Sequence, residues 1–488
     1  MHCSVIITGD IAKMQTVGAM KEKFVRMVKA VDLLSLPVSG MLVLALLYVS
    51  LPLVAFVGFD IGMLKAHASR LTAQSVLYSV IGIICFMWGA FWRGTMLNRG
   101  GGTSSIIFAE WNNLPRVLFV CVTLFVAGFG SKIVHVLTGD YLLHKYLGPM
   151  GGPFVMKYFI SLNIFHTLAL AVACCFYYRL RQINDPGACL WRKIAFGLLM
   201  FEIVCGLLTR GSRLAVVIPI AIALLSRHYL CQRNNRLALI VGFVVVALLF
   251  PIKNLLRNPA EPINNYLTAD RGHGVLVVPY GGMDALDILY YGIDEFLGRE
   301  GASDRAREFV SMPSAVVSFV SDSSMGRLGQ AQVFAIIVER TNSYLYGRTF
   351  LSVFSHLGLP GDFVERVSGI GAEHDYAVRS GLVAMNKEGV PAAKVPPTVM
   401  GDLYLNFGLV GIIAGMFVIG CFAKQLHRCL VEENARCPTV FIYAMLWIFA
   451  LHGLEEPLAE AVAKLFKTSA FTMVVCAAIS VPIRKSSV

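Results

Sequence analysis

Arginines, carboxylates and an amide gather at three places along an otherwise apolar chain, and their chemistry limits what each place can do. The stretch Leu208-Thr209-Arg210-Gly211-Ser212-Arg213 puts two guanidiniums in one short turn between apolar runs. A guanidinium is planar, stays charged and matches phosphate oxygens, so Arg210 and Arg213 can grip a diphosphate; they can equally snorkel to lipid phosphates. Glu202 would lie about 20° from Arg213 around a continuous helix, which suits an ion pair. A second group comprises Glu339, Arg340, Tyr346-Gly347-Arg348-Thr349-Phe350 and Gly358-Leu359-Pro360-Gly361, followed by Glu373, His374, Asp375 and Arg379. A carboxylate or imidazole there can take a proton from a hydroxyl. For His374 alone, a solvated loop histidine is the plainer account. The third group opens an apolar run at Met400-Gly401-Asp402-Leu403-Tyr404-Leu405-Asn406-Phe407-Gly408. Asp402 and Asn406 are one helical turn apart and share a face. Asp402 can also be a first-turn charge favoured by the helix dipole. Gly408, Gly411 and Gly415 allow a neighbouring helix to approach closely. Asp60, with no acidic partner nearby, is a poor metal ligand.

The elements that must position these groups are set by composition. The chain has 488 residues, 56% hydrophobic and 15% charged, with a mean hydropathy of +0.67. A soluble domain of this length would be about a quarter charged, so the fold class is all-α, a polytopic transmembrane helix bundle. Apolar runs near 35–59, 74–92, 114–130, 157–178, 191–209, 214–230, 236–252, 400–421, 438–454 and 467–483 predict ten spans. With the N-terminus cytoplasmic, 20 basic residues fall inside and nine in the short outer loops. The positive-inside rule therefore predicts both termini in the cytoplasm. Residues 1–34 then form a cytoplasmic segment, 35–252 spans one to seven, 253–399 a large outer-face loop, 400–483 spans eight to ten, and 484–488 a cytoplasmic tail. Met1 to Lys29 lacks the apolar core of a signal peptide, so no cleavage is expected.

The segment 253–399 contains no bilayer-length apolar run. Helical spacing over Asp284 to Leu297, Asp304 to Val320 and Gln330 to Glu339 predicts amphipathic helices on the membrane face or over a cavity. This segment has 13 basic against 16 acidic residues, so of the net +12 it accounts for −3 and the remainder for +15. The basic residues are thus a topology signal spread over separate loops, which removes nucleic acid as a partner. None of the twelve cysteines falls in an outer loop, so no disulfide framework is implied, and Cys174-Cys175 reads as helix packing. No Walker, HExxH, GxSxG or dinucleotide motif is present.

The hinge with its Gly211-Ser212-Arg213 triplet, the long loop, and Gly401-Asp402-Leu403-Tyr404-Leu405-Asn406-Phe407-Gly408-Leu409-Val410-Gly411 resemble the Wzy-type O-antigen polymerases, also called oligosaccharide repeat-unit polymerases. Tyr346-Gly347-Arg348-Thr349 and the proline segment at Pro360 stand in the family's order, over residues 190–425. Members commonly have an Ile-Pro-Arg with a following Lys-Pro near the proline, where this chain reads Gly358-Leu359-Pro360-Gly361.

The resemblance implies a GT-C-like, metal-independent and cofactor-free glycosyltransferase of the bacterial inner membrane. It would act on undecaprenyl-diphosphate-linked oligosaccharides at the periplasmic face, making lipopolysaccharide or exopolysaccharide, with a chain-length regulator as partner. Arg210, Ser212, Arg213, Arg340, Arg348, Arg379, Tyr404 and Asn406 are then the expected substrate and diphosphate ligands. Glu373, His374, Asp375 and Asp402 are the candidate bases, in no fixed order. Two other functions fit the same features. An O-antigen ligase, passing glycan to lipid A core, is suggested by His374 and Arg379 in the loop. A flippase of lipid-linked sugars is disfavoured because transporters tend to show inverted repeats and broken helices at mid-membrane, whereas the polar residues here cluster at the outer face.

Overall fold

The computed structural model describes residues 32–50, 71–92, 110–138, 164–208, 214–231, 330–341, 343–357, 397–432 and 435–480. Every regular element among them is helical. They are α1 (Leu36–Ala45, continuing as a π turn over Leu46–Ser50), α2 (Ala73–Phe91), α3 (Leu114–Thr138), α4 (Ile164–Gln182), α5 (Ala188–Leu208) and α6 (Leu214–Cys231). After them come α7 (Gln330–Arg340), a 3-10 turn (Arg348–Ser352), α8 (Val353–His356), α9 (Val399–His427, ending in a π turn over Arg428–Glu432), α10 (Cys437–Gly453) and α11 (Leu458–Ser480). Among the described residues four helices are long and apolar enough to cross a membrane: α2, α3, α9 and α11. Shorter apolar stretches occupy α1, α6 and α10.

Helices stand at nine of the ten expected spans; the seventh, 236–252, lies outside the described residues. Three boundaries differ by more than a few residues: α3 runs on to Thr138 rather than ending near 130, α9 runs to His427 rather than 421, and the start of the last helix shifts. The last helix begins at Leu458 rather than near 467, because Lys464 does not end it: Glu456 and Glu460 neutralise the ammonium. The expected helix from Gln330 is present as α7, but it does not lie on a surface. Phe334, Ala335 and Ile337 are buried against α2, α9 and the π turn after α1. The helices expected at 284–297 and 304–320 lie outside the described residues.

Two packing solutions build the bundle. The most extensive interface joins α2 to α9, and small residues make it possible. A Cβ on Gly89 would fall 2.9 Å from the Phe417 carbonyl carbon, and one on Gly420 would fall 2.9 Å from the Ala90 nitrogen. Backbone therefore meets backbone on both sides of the crossing, as dispersion-driven packing in lipid demands. The second solution centres on α4. Its residues from His166 to Phe176 are all buried, enclosed by α3, α5, α6 and α10. A helix that is apolar all round must be interior. Phe119 and Val126 of α3 and Phe196 and Val204 of α5 are exposed on the rim instead.

One end of the bundle is tied by polar groups. Tyr443 of α10 accepts from the Leu36 N–H at 2.8 Å, donates to the Leu34 carbonyl at 3.2 Å and meets His427 Nδ1 at 3.0 Å. Asp32 accepts from Tyr229 at 2.8 Å and pairs with His228 Nε2 at 3.1 Å. The entry to α1 is thereby fastened to the ends of α6 and α9 and to the start of α10. Burial alone would push the Asp32 carboxyl up, but hydrogen bonds from His228 and Tyr229, the His228 charge and the Leu34 N–H outweigh it and hold the group below its usual range.

Two expectations follow from this packing. Gly420→Val overfills the α2–α9 crossing and should cost about 1–3 kcal/mol, read as a lower unfolding midpoint in detergent. An unchanged midpoint would mean the crossing tolerates a side chain. Because the folded Asp32 carboxyl sits below its unfolded value of about 3.8, its contribution is complete above that pH and is lost as pH falls through the folded value. Asp32→Asn should therefore unfold more readily than the parent at neutral pH, and the two should converge in strong acid.

Candidate functional site

The end of the bundle opposite Asp32 is organised by a break in a helix. Gly408 lies inside α9 with φ 62° and ψ −147°, so the helical hydrogen-bond ladder is interrupted there. Carbonyls upstream of such a break lose their partners four residues on and need other donors. The segment before the 3-10 turn supplies them. Leu345 N–H donates to the Leu405 carbonyl at 2.9 Å, and Tyr346 N–H donates to the Asn406 carbonyl at 3.0 Å. Only glycine fits the break, since a Cβ on Gly408 would lie 2.7 Å from the Tyr344 ring as well as meeting a positive φ. The donor segment is itself strained into shape, with Tyr346 at φ 49° and Gly347 at φ 83°.

Side chains complete the joint. Asn406 accepts the Gly347 N–H at 2.9 Å, which fixes its amide orientation, and donates to Thr349 Oγ1 at 2.6 Å. The same Nδ2 reaches the Asp402 carbonyl at 2.7 Å and carboxylate Oδ1 at 3.2 Å. The Thr349 hydroxyl hydrogen-bonds the Asp402 carboxylate. Asp402 Oδ2 accepts the Leu458 N–H at 2.9 Å, linking α9 to the first turn of α11. Asp402 and Asn406 are fully buried. A carboxylate so engaged organises its neighbours; it has no oxygen turned to an open space.

Tyr404 packs its ring among Tyr78, Phe334 and Tyr344, with ring centroids 5.8 to 6.2 Å apart. Arg340, the last residue of α7, and Arg348, the first of the 3-10 turn, are exposed and have no ion-pair partner among the described residues. Two of the expected phosphate ligands therefore stand free on segments flanking the Asp402–Asn406 joint. Arg210, Ser212, Arg213, Glu373, His374, Asp375, Arg379 and Asp60 lie outside the described residues. Among the described residues no three His, Cys, Asp or Glu side chains converge as metal ligands.

An apolar cleft of about 910 Å³ runs between α9 and α11. Tyr346 and Phe350 stand at its Asp402 end; Leu403, Phe407 and Val418 line one wall, and Leu458, Val462 and Phe466 the other. The α9 wall, from Leu403 to Ala423, is about 30 Å long. That matches the hydrocarbon thickness of a bilayer.

Two charged groupings at this end were not anticipated from the sequence. Glu202 of α5 pairs with His166 of α4, inside the bundle, and buried Lys132 of α3 interacts electrostatically with the same carboxylate. Glu202 thus has a partner on the neighbouring helix, and Arg213, expected beside it, lies outside the described residues. The second grouping is the α10–α11 turn. His452 Nε2 meets Glu456 Oε1 at 2.8 Å, Lys464 Nζ reaches the same oxygen, and Lys464 also pairs with Glu460 at 2.8 Å. Burial would raise the Glu456 carboxyl, but the hydrogen bond from His452 and the Lys464 ammonium hold it below its usual range and ionised. The signal was present in His452-Gly453-Leu454-Glu455-Glu456-Pro457, three ionisable residues at the junction of two apolar runs.

Asn406→Ala should leave the Gly347 N–H and the Thr349 hydroxyl without their partner, lowering stability by about 1–3 kcal/mol and opening residues 343–349 to limited proteolysis. Gly408→Ala should act in the same direction through strain at positive φ, costing about 1–2 kcal/mol. Parental protease resistance in both variants would show that the joint is dispensable. No protein-family model, curated protein or solved structure matches this chain.

Proposed function

We propose that the chain is a polyprenyl-diphosphate-dependent glycosyltransferase that polymerises lipid-linked oligosaccharide repeat units. In this reading it is a ten-span, GT-C-like protein of the bacterial inner membrane, with both termini in the cytoplasm and the Asp402 end at the periplasmic face. The growing chain is released from its lipid diphosphate and joined to the terminal sugar of a new lipid-linked unit.

The observation that carries the proposal is the joint between residues 345–349 and 402–406. These are two of the segments on which the resemblance rests, and they meet at the head of an apolar cleft. The parts suit the chemistry. A polyprenyl tail is apolar and needs a path open to lipid, which the α9–α11 cleft provides. Cleaving a glycosyl-diphosphate bond develops negative charge on the leaving oxygen, so preorganised cations lower the barrier. Arg340 and Arg348 are exposed beside the joint, and Arg210 and Arg213 in the hinge are further candidates.

The test is incubation of purified protein with undecaprenyl-diphosphate-linked repeat units, without nucleotide. A ladder of lengthened products is expected. Product only on adding lipid A core would mark a ligase instead, and movement of intact substrate across a vesicle membrane without new bonds would mark a flippase. Arg348→Ala should slow ladder formation by about tenfold or more, as loss of one charge-stabilising group at the reacting centre does. In cells, Arg213→Ala should abolish long chains while single units still reach the surface lipid; normal chain length would sink the assignment of the hinge.

A further inference from the structure

Every polar atom of the Asp402–Asn406 joint is spoken for, so the proton that must leave an acceptor hydroxyl has to go elsewhere. The α10–α11 turn holds atoms suited to take it. Glu456 is about nine-tenths buried, and its two oxygens are used unequally. Oε1 receives both His452 and Lys464, whereas Oε2 has no hydrogen-bond partner among the described residues. His452 is divided the same way. Its Nε2 meets Oε1 at 2.8 Å, and its Nδ1 is buried with no partner among the described residues.

The tautomer follows from that geometry. An ionised carboxylate only accepts hydrogen bonds, so Nε2 must bear the hydrogen, and in a neutral imidazole Nδ1 is then a bare lone pair. Two unpaired acceptors, Nδ1 and Oε2, therefore lie in one turn. Buried acceptors without donors cost about 1–3 kcal/mol each, and a hydroxyl-rich ligand is the kind that relieves them. The turn also borders the cleft. Leu458, two residues after Glu456, donates to Asp402 at 2.9 Å, and Leu451, Gly453 and Leu454 line the cleft.

We propose that His452 is the proton acceptor for the acceptor-sugar hydroxyl and that Glu456 is its positioning residue. This rests on the glycosyl-transfer reading above. As the hydroxyl oxygen bonds to the anomeric carbon, its proton passes to Nδ1. The bond from that carbon to the diphosphate oxygen breaks, and the electron pair leaves with the diphosphate. Nε2 keeps its hydrogen on Glu456 Oε1, where the imidazolium formed is stabilised by the carboxylate. Lys464 holds Glu456 ionised throughout. Burial keeps bulk water from the same base, which disfavours hydrolysis of the donor.

The test uses the full-length protein in liposomes and lipid-linked repeat units extracted from cells that lack it. His452→Gln retains an amide donor toward Glu456 but has no basic nitrogen, so turnover should fall about 100-fold or more with substrate affinity unchanged. Glu456→Gln should lower turnover in the same direction at unchanged affinity, and Glu456→Asp should restore part of it. Thermal unfolding of each variant reports whether the fold is intact. A wild-type ladder with His452→Gln within about threefold of it would overturn the dyad and leave the polymerase reading standing; general-base removal cannot be that mild. Loss of affinity in step with turnover would also overturn it, since the turn would then only shape the binding site. No ladder from the wild-type protein would overturn the polymerase reading and the dyad's role together.

Discussion

A single buried carboxylate sets the geometry of the described site. Asp402 is fully enclosed, and a charge there is tolerated only because donors from three parts of the chain converge on it. Asn406 comes from its own helix, Thr349 from the segment before, and the Leu458 N–H from the helix after. Each contact fixes a different boundary. The Thr349 contact places Tyr346 and Phe350 at the head of the cleft, with Arg348 exposed on the same turn. The Leu458 contact places the start of α11, hence the far wall of the cleft and the turn with His452 and Glu456. The break at Gly408 serves the same end, because it frees the carbonyls that hold the 345–346 backbone in register.

Charge inside the bundle is otherwise kept in compensated groups. His166, Glu202 and Lys132 neutralise one another among α3, α4 and α5, and Glu456 with His452, Lys464 and Glu460 does so at the α10–α11 turn. Arg340 and Arg348 are exposed cations without a carboxylate among the described residues, as are Arg181, Arg192, Lys193 and Lys467 elsewhere.

The apolar runs made the helices legible, because length and hydropathy act locally. Most boundaries followed, and so did the helix at Gln330, whose apolar spacing is regular. What failed did so where partners are distant in sequence. Lys464 reads as a loop residue until Glu456 and Glu460 are seen beside it. The partner of Glu202 on α4 lies 36 residues earlier, and no helical spacing links the two. Asp402 and Asn406 were singled out by type and spacing, but their role as a joint depends on Thr349 and Leu458, which no periodicity links to them. The three glycines from 408 to 415 read as one packing stripe, yet Gly408 is a backbone break and differs in kind.

The spacing of the donors around Asp402 also dictates an order of assembly. Thr349 precedes α9 in synthesis, so one partner is available when that helix enters the bilayer. The Leu458 N–H lies 56 residues further on and arrives only after α10 has been made and turned back. Until then Asp402, near the end of a long apolar helix, lacks one of its donors. The last two helices are therefore a latch: truncation or stalling before Leu458 leaves the site segments present but unlocked.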